Sequence, residues 1–410
     1  MTVEMTFNSE TATALLVSYR EGSASEHESL ESQGKTYVPY SAENNLLTHR
    51  VVLFPSAAVE YESEPLLIEE VRAFIHKYMD VDAGFEEVAA HYVLMTWRYD
   101  LFKEVPYLRV LGNYGQGKSR FLLTVGSLCF KPIFASGAST VSPIFRLLDE
   151  IAGTLVIDEA DFRASDERSE IVKILNNGHA VGFSVLRSDV TPAKEFRPRA
   201  FRIFGPKLIA TRHEFEDEAL ESRCLTAALG GRPLRQEIPI SLPAAFDEEA
   251  QSLRNKLLMY RFRRFEPRNG SQVAALPGVS PRLAQILLPL LSVTCSSDAA
   301  SRLIGFATGE HAIFTSQEEA EKLTLASVKR LCDQGVIPMS LKRVAEEFRR
   351  RSVGAYGNEI PPRFIGGVLR RLGVGLQKTG GVFVVPITSL PRLEALFTRY
   401  QLTSEKGQEG

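Results

Sequence analysis

An eight-residue stretch, residues 112–119, has the spacing of a phosphate-binding loop. Gly112 is followed after four residues by Gly117, Lys118 and Ser119. In such a loop, successive backbone N–H groups turn towards an anion, the lysine reaches the β- and γ-phosphates, and the hydroxyl holds Mg²⁺. An apolar run precedes the loop and a helical run follows it, which is the context that this chemistry needs. The predicted nucleotide-binding residues here are Gly112, Asn113, Tyr114, Gly115, Gln116, Gly117, Lys118, Ser119 and Arg120.

Two adjacent carboxylates end the next strongly apolar run, residues 153–157. Asp158 is predicted to join Ser119 in organising Mg²⁺, and Glu159 to orient or deprotonate the attacking water. This arrangement looks like a Walker B motif. The alternative is a surface acidic pair that caps the following helix.

Two later segments have the form of a strand and a short helix. Residues 206–212 contain an apolar run that ends at Thr211, and residues 217–223 end in Arg223. With the two motifs above, this order resembles that of AAA+ ATPases. The resemblance implies that Thr211 contacts the γ-phosphate or the water, that Arg223 enters a neighbouring subunit's site, and that Arg282 in a helical lid contacts the nucleotide. The alternatives are a threonine in a turn, an arginine that neutralises a helix C-terminus and a solvated arginine. The candidate catalytic residues are therefore Lys118, Asp158, Glu159, Thr211 and Arg223.

Residues 65–300 resemble more specifically the helicase part of phage, plasmid and mobile-element primase-helicases, which are superfamily-three-like. Segments 107–119, 176–182, 204–210 and 219–223 carry this similarity. In helicases of that type, a hairpin just before the strand of Thr211 brings basic residues into a central pore. The resemblance thus implies that Lys194 and Arg197 contact DNA. The alternative is an ordinary connecting hairpin with solvated charges.

Short apolar runs alternate with helical ones through the middle of the chain, as expected for a parallel sheet covered on both faces. The predicted fold class is α/β: an AAA+-like P-loop NTPase sheet with flanking helices, an N-terminal helical segment, a helical lid and a C-terminal winged-helix-like domain. The predicted strands are 107–111, 132–135, 154–157, 207–211 and 224–228.

The C-terminal region combines this winged-helix pattern with a basic charge. Two amphipathic helices precede two β-runs, 374–377 and 382–385, around a Gly-Gly pair. Residues 340–385 carry nine basic and three acidic side chains on a chain whose formal net charge is −2, which indicates a phosphate-binding face. The alternative is a winged helix that docks a protein. The predicted DNA-binding residues of this domain are Arg363, Arg370, Arg371 and Lys378.

Composition excludes several classes of protein. With 410 residues, 44% hydrophobic and 24% charged, the chain is expected to be globular with more than one domain. The four cysteines include no CxxC pair, which argues against a zinc site or a disulfide framework and fits the cytoplasm. No apolar run predicts a signal peptide or membrane span.

The predicted divisions of the chain are a disordered polar tail (1–45), a helical segment (46–104), the ATPase core (105–240), a helical lid (241–335), the winged-helix-like domain (336–396) and a polar tail (397–410).

These features together predict an ATP-dependent DNA helicase or translocase of a mobile genetic element. It is expected to use ATP and Mg²⁺, to form a hexamer-type homo-oligomeric ring and to bind single-stranded or duplex DNA. Two alternatives remain open. One is a protein-remodelling or helicase-loading AAA+ ATPase, and the other is a DNA-binding switch that holds ATP without hydrolysing it.

Overall fold

The chain divides into two compact units, residues 1–308 and 309–410. This division differs from the predicted boundaries after residues 240 and 335, because one apolar core of the first unit extends from Val17 to Ala307. The computed structural model describes residues 1–158, 166–190, 196–215, 217–230, 234–265, 276, 279–351, 362–400 and 402, without the side chains of 166–169, 189–190, 310–320, 363 and 371.

The N-terminal residues form antiparallel strands, so the disordered tail predicted over residues 1–45 is wrong. Val17 belongs to the core of the first unit, and Glu4 is buried. The Glu4 carboxylate lies 2.7 Å from Arg261 Nε and 2.7 Å from Lys131 Nζ. Burial raises the pKa of Glu4, but the charges of Lys131 and Arg261 outweigh it and hold that pKa below its usual range. The elements are β1 (Thr2–Asn8), β2 (Thr13–Arg20) and β3 (Ser23–His27) in one sheet, the hairpin of β4 (Leu30–Ser32) and β5 (Lys35–Tyr37), and α1 (Asn45–Thr48).

Two packed helices follow, α2 (Glu64–Tyr78) and α3 (Ala83–Thr96), and then a 3₁₀ turn (Tyr99–Leu101). The Ser63 hydroxyl accepts a hydrogen bond from the Leu66 N–H and so caps α2, while Asp82 caps α3. Every residue of α3 from Phe85 onwards is buried. This helix therefore lies within the core, whereas an amphipathic surface helix would keep one polar face exposed.

A five-stranded parallel sheet forms the centre of the first unit. Its elements and their connections are β6 (Tyr107–Leu111), α4 (Lys118–Gly126), β7 (Ile133–Ala135), α5 (Val141–Ile151), β8 (Leu155–Ile157), α6 (Asp166–Asn177), β9 (Ser184–Val190), β10 (Phe196–Arg202), β11 (Lys207–Thr211), α7 (Glu218–Glu221) and β12 (Cys224–Ala228). The strand order is β12-β6-β11-β8-β7. The predicted parallel sheet is confirmed, and its arrangement with helices is consistent with a P-loop NTPase-like fold.

The antiparallel hairpin of β9 and β10 has two different faces. On one face, the Phe201 ring packs against Phe145 of α5 with the ring centroids 4.9 Å apart, and Arg199 lies over Phe201. The other face exposes Leu186 and Phe196 to solvent. Alternation along the strands thus gives this hairpin an apolar outer face.

Three helices follow the sheet: α8 (Ala245–Arg264), α9 (Pro281–Leu291) and α10 (Ser297–Asp333). The α8 guanidinium of Arg261 is buried and donates to the Trp97 carbonyl at 2.7 Å as well as to Glu4 and Asp100. Across the described ranges, no helix combines the length and the apolar character that crossing a bilayer requires.

The second unit contains helices and a small sheet in which β15 (Val382–Val385) lies between β13 (Met339–Ser340) and β14 (Gln377–Thr379). Gly380 and Gly381 form the turn between its last two strands, both with positive φ. The strand predicted over 374–377 lies slightly later, and Phe397, predicted to begin a polar tail, is buried in the last helix. The elements are β13 (Met339–Ser340), α11 (Leu341–Arg351), α12 (Pro362–Arg371), β14 (Gln377–Thr379), β15 (Val382–Val385), a 3₁₀ turn (Ile387–Ser389) and α13 (Leu390–Arg399).

Candidate functional site

The predicted phosphate-binding loop joins β6 to α4. Gly115 and Gly117 adopt φ values of +73° and +90°, which residues with a Cβ rarely adopt. Gly117 directly precedes the first residue of α4, Lys118. The backbone N–H groups at a helix N-terminus, preceded by a turn of this kind, form an anion-binding site.

A cleft of about 380 Å³ opens beside this loop. Asp158 is the single carboxylate among its described lining residues, which also include three cationic side chains. This excess of positive charge suits an anionic ligand such as a polyphosphate. The lining residues are Tyr114, Gly115, Gln116, Gly117, Lys118, Ser119, Arg120, Asp158 and Arg212.

Lys118 is buried and bends back over the loop. Its Nζ donates to the carbonyl oxygens of Gly112 and Asn113 at 2.7 and 2.9 Å. An ammonium group has three N–H donors, so two of them hold the loop in shape and one remains for a ligand in this arrangement.

Ser119 and Asp158 come together across the sheet edge. The Ser119 hydroxyl donates to Asp158 Oδ2 at 2.7 Å. A hydroxyl and a carboxylate are the hard oxygen ligands that Mg²⁺ prefers, usually with water and phosphate oxygens completing the shell. The pair therefore fits the predicted metal site, while Glu159 lies outside the described residues.

Thr211 ends β11 at the same edge of the sheet. Its strand pairs with β6 on one side, where Thr211 is opposite Leu111, and with β8 on the other. The Thr211 hydroxyl is buried and has no hydrogen-bond partner within the described part of the chain. Because a buried hydroxyl without a partner loses its hydration, the geometry favours a ligand or water at this position.

Two other predicted nucleotide contacts support the loop. Arg120 donates to the carbonyl oxygens of Pro239 and Ile240 at 3.0 and 2.6 Å. Gln116 Oε1 accepts a hydrogen bond from the Asn113 N–H. In this arrangement, both side chains fix the loop and its surroundings.

Arg223 lies at the opposite edge of the sheet. It precedes β12, whose first residue pairs with Tyr107 at the start of β6, whereas the loop follows the end of β6. A strand of that length separates the two edges by about 15 Å, which is beyond the reach of an arginine side chain. Arg223 therefore cannot contact a nucleotide in the cleft of its own chain.

The charge of the predicted lid residue Arg282 acts on Arg223, and Arg282 is not among the described residues that line the cleft. Burial and then the charge of Arg282 lower the pKa of Arg223. Burial, followed by the charges of both arginines, lowers the pKa of His179 to about 4. Positive charges that act on one another in this way favour an anionic ligand.

A hydrogen-bonded chain orients Arg223. Its Nη1 donates to Asn176 Oδ1 at 2.6 Å, and Asn176 Nδ2 donates to Asp217 Oδ2 at 2.6 Å. The Nε atom of Arg223 is buried without a hydrogen-bond partner among the described residues. The sequence does not predict Asn176 and His179 as site residues, although both belong to segment 176–182, because their spacing indicates no particular chemistry.

The predicted DNA contacts are spread over the hairpin and the second unit. Arg197 is exposed on β10, and Lys378 is exposed on β14. Arg370 is exposed on α12, and its guanidinium carbon lies 5.3 Å from the centre of the Phe383 ring. Lys194 lies outside the described residues, as do the side chains of Arg363 and Arg371.

No family model matches this sequence, and neither does any curated protein. Among solved structures, the C-terminal region of NrS-1 is similar with a TM-score of 0.36 and 11% identity over 94% of this chain and 96% of that chain. JCV helicase has a TM-score of 0.28 and 11% identity over 60% and 61% of the two chains. Drosophila ORC, solved bound to DNA, has a TM-score of 0.22 and 12% identity over 82% and 91%. At such scores, similarity carries no argument about function, which has to come from the cleft itself.

Proposed function

We propose that this chain is an ATPase that couples MgATP hydrolysis to movement on DNA as an oligomeric ring helicase or translocase. The observation that carries the ATPase is that the side chains of Lys118, Ser119 and Asp158 line one cleft, at the edge of the parallel sheet where the strand of Thr211 ends. Bound MgATP would supply the phosphoryl group that is transferred and the metal charge that neutralises it.

Each of these residues has a distinct task in the proposal. The amides around Gly117 and the Lys118 ammonium bind the phosphates, while Ser119 and Asp158 hold Mg²⁺. Thr211, with its buried hydroxyl, orients the terminal phosphate or the attacking water. Glu159 follows Asp158 in the sequence and is proposed to position that water for attack.

The proposed active site needs a second copy of the chain. Arg223 lies at the sheet edge opposite the cleft, and the charge of Arg282 acts on it. In a ring, this edge of one subunit would face the cleft of the next, and the two arginines would neutralise charge on the neighbour's phosphates.

DNA contact is assigned to the second unit and the β9–β10 hairpin. Helices α11 and α12 followed by the β14–β15 hairpin support a winged-helix-like arrangement with Arg370 and Lys378 exposed. Arg363 and Arg371 are proposed to join them in phosphate binding, and Lys194 and Arg197 to contact DNA from the first hairpin.

An ATPase assay with and without single-stranded and duplex DNA tests this function. We expect Lys118→Ala to weaken ATP binding, and Glu159→Gln to bind ATP while hydrolysing it about a hundredfold or more slowly. Lys35→Ala on the exposed strand β5 is the matched control and should behave like the wild type. Near wild-type turnover by both Lys118→Ala and Glu159→Gln would refute the ATPase.

The same assay separates the alternatives. Arg370→Ala/Lys378→Ala should weaken DNA binding and flatten its logarithmic salt dependence by about 1.8, the value for two phosphate contacts. Arg399→Ala on α13 serves as the control for removing a positive charge elsewhere in the same unit. Turnover without DNA stimulation or strand displacement would indicate a remodelling or loading ATPase. ATP binding without multiple turnovers would indicate a switch.

A further inference from the structure

Arg212 forms part of the cleft, although no motif pointed to it. It follows Thr211 at the end of β11, the strand between the loop strand β6 and the Asp158 strand β8. The Gly112 N–H donates to the Thr211 carbonyl at 3.1 Å, so the chain leaves β11 directly beside the first residue of the loop. Arg212 is exposed and lines the cleft with Lys118 and Asp158.

The aromatic ring of Tyr114 contacts the Arg212 guanidinium. The guanidinium carbon lies 5.2 Å from the ring centre, within the range of a cation–π interaction. Tyr114 is 84% exposed, so packing in the apolar core does not account for its ring at the loop apex. The contact with Arg212 gives that ring a role, because it favours one position of the guanidinium over the cleft.

The other cations of the cleft leave a triphosphate incompletely neutralised. Lys118 uses two of its three donors on the loop carbonyls, and Arg120 donates to the carbonyls at 239 and 240. A guanidinium carries five N–H donors in a geometry that matches phosphate oxygens in pairs. Arg212 brings a third positive charge and this donor geometry to the described lining of the cleft.

We infer that Arg212 contacts the terminal phosphate of a nucleoside triphosphate bound in the cleft of its own chain, and that Tyr114 positions it. The loop amides and Lys118 serve the phosphates nearest α4. Arg212 enters the cleft from the end of β11, beside the strand of Asp158, and is assigned the terminal phosphate. This inference rests on the proposed ATP site and adds to it a residue that distinguishes triphosphate from diphosphate.

The test is equilibrium binding of ATPγS and of ADP, both with Mg²⁺, to the full chain. Arg212→Ala should weaken ATPγS binding about tenfold or more, while ADP binding stays within about twofold of the wild type. The affinity of Arg212→Lys for ATPγS should lie between those of the wild type and Arg212→Ala, because a single ammonium keeps the charge but loses the paired donors. Thermal unfolding confirms that each variant is folded.

Tyr114 variants test the positioning role. Tyr114→Phe keeps the ring and should bind ATPγS like the wild type, whereas Tyr114→Ala should lose about two- to fivefold, the value of an exposed cation–π contact. That loss should vanish when Arg212 is already alanine, because the two residues act as one unit. If the losses of ATPγS affinity from Tyr114→Ala and Arg212→Ala add up in the double variant, Tyr114 does not position Arg212.

The outcomes for the inference and for the proposed function differ. If Lys118→Ala abolishes nucleotide binding but Arg212→Ala leaves the ATPγS-to-ADP ratio unchanged, the Arg212 inference is wrong and the ATP site stands. If the wild type binds neither nucleotide, the Arg212 inference and the proposed ATP site are both wrong. A selective loss of ATPγS binding in Arg212→Ala supports the inference.

Discussion

Two cations near the sheet edge opposite the cleft differ in how their donors are used. The buried Lys207 Nζ donates to the carbonyls of Gly178, Ile203 and Gly205 at 2.9, 2.9 and 2.7 Å. Three acceptors match the three N–H groups of an ammonium, so Lys207 stabilises these connections, although burial lowers its pKa to about 7. Arg223 has a buried Nε without a partner among the described residues, and it is therefore the better candidate for a ligand.

His179 is predicted to make stability fall at acidic pH. Burial, with the charges of Arg223, Arg282 and Lys207, lowers the pKa of His179 to about 4, and its Nδ1 is 3.0 Å from the Asn176 carbonyl. An unfolded histidine titrates near pH ~6.5, so below that value the unfolded chain binds a proton that the folded chain does not. The contribution of neutral His179 is complete above pH ~6.5 and is lost as the pH falls towards about 4.

Thermal unfolding of the wild type and His179→Gln measures this contribution. We expect the wild-type Tm to fall more steeply than that of the variant between about pH 7 and pH 4.5, because glutamine does not titrate. His49→Gln, at an exposed position, should follow the wild type. Parallel curves for His179→Gln and the wild type would contradict the prediction.

The sheet elements were predictable because their signals are local. Each strand is a short apolar run between polar segments, and the structure has all five within one residue of the predicted bounds. The loop from Gly112 to Ser119 is equally local, since its chemistry depends on residues that are adjacent in the chain. Arg212 carried no such signal, because its place in the cleft depends on strand order in the sheet.

The N-terminal strands could not be predicted from composition. Every residue of β3 is at least partly exposed, so its sequence of serine, alanine, glutamate and histidine resembles a disordered segment. The burial of Glu4 has no local signal in the sequence, because its partners Lys131 and Arg261 are far away along the chain. The position of Arg282 depends likewise on tertiary packing, which brings its charge to act on Arg223.

Glu4 is predicted to join the N-terminal sheet to the rest of the first unit. Glu4→Ala would leave the buried Arg261 and the partly buried Lys131 without their shared carboxylate. Breaking a buried ion pair from one side costs about 3 to 5 kcal/mol, so the free energy of unfolding in urea should fall by an amount of that order. Glu10→Ala, at an exposed position, should change it by less than about 0.5 kcal/mol. Equal stabilities for the two variants would show that the ion pairs contribute little.

The positions of the cleft and of Arg223 determine how copies of the chain must assemble for the proposed active site to form. The cleft and Arg223 occupy opposite edges of one sheet. One chain therefore carries two halves of the proposed active site that cannot meet within it. A cyclic assembly is the arrangement in which every copy gives one edge to a neighbour and receives the other.

Mixing two inactive variants tests this condition. Lys118→Ala removes the phosphate contact and keeps Arg223, while Arg223→Ala keeps the cleft and removes the arginine. Each alone should lose activity, by about a thousandfold for the arginine if it acts as such residues do in related phosphoryl transfer. In a one-to-one mixture, an intact cleft meets an intact Arg223 at about one interface in four, so we expect up to about a quarter of wild-type turnover. The Lys118→Ala/Arg223→Ala double variant is the control and should rescue neither single variant beyond its own activity. Turnover per chain that stays constant on dilution to a demonstrated monomer would show that the site is complete within one chain.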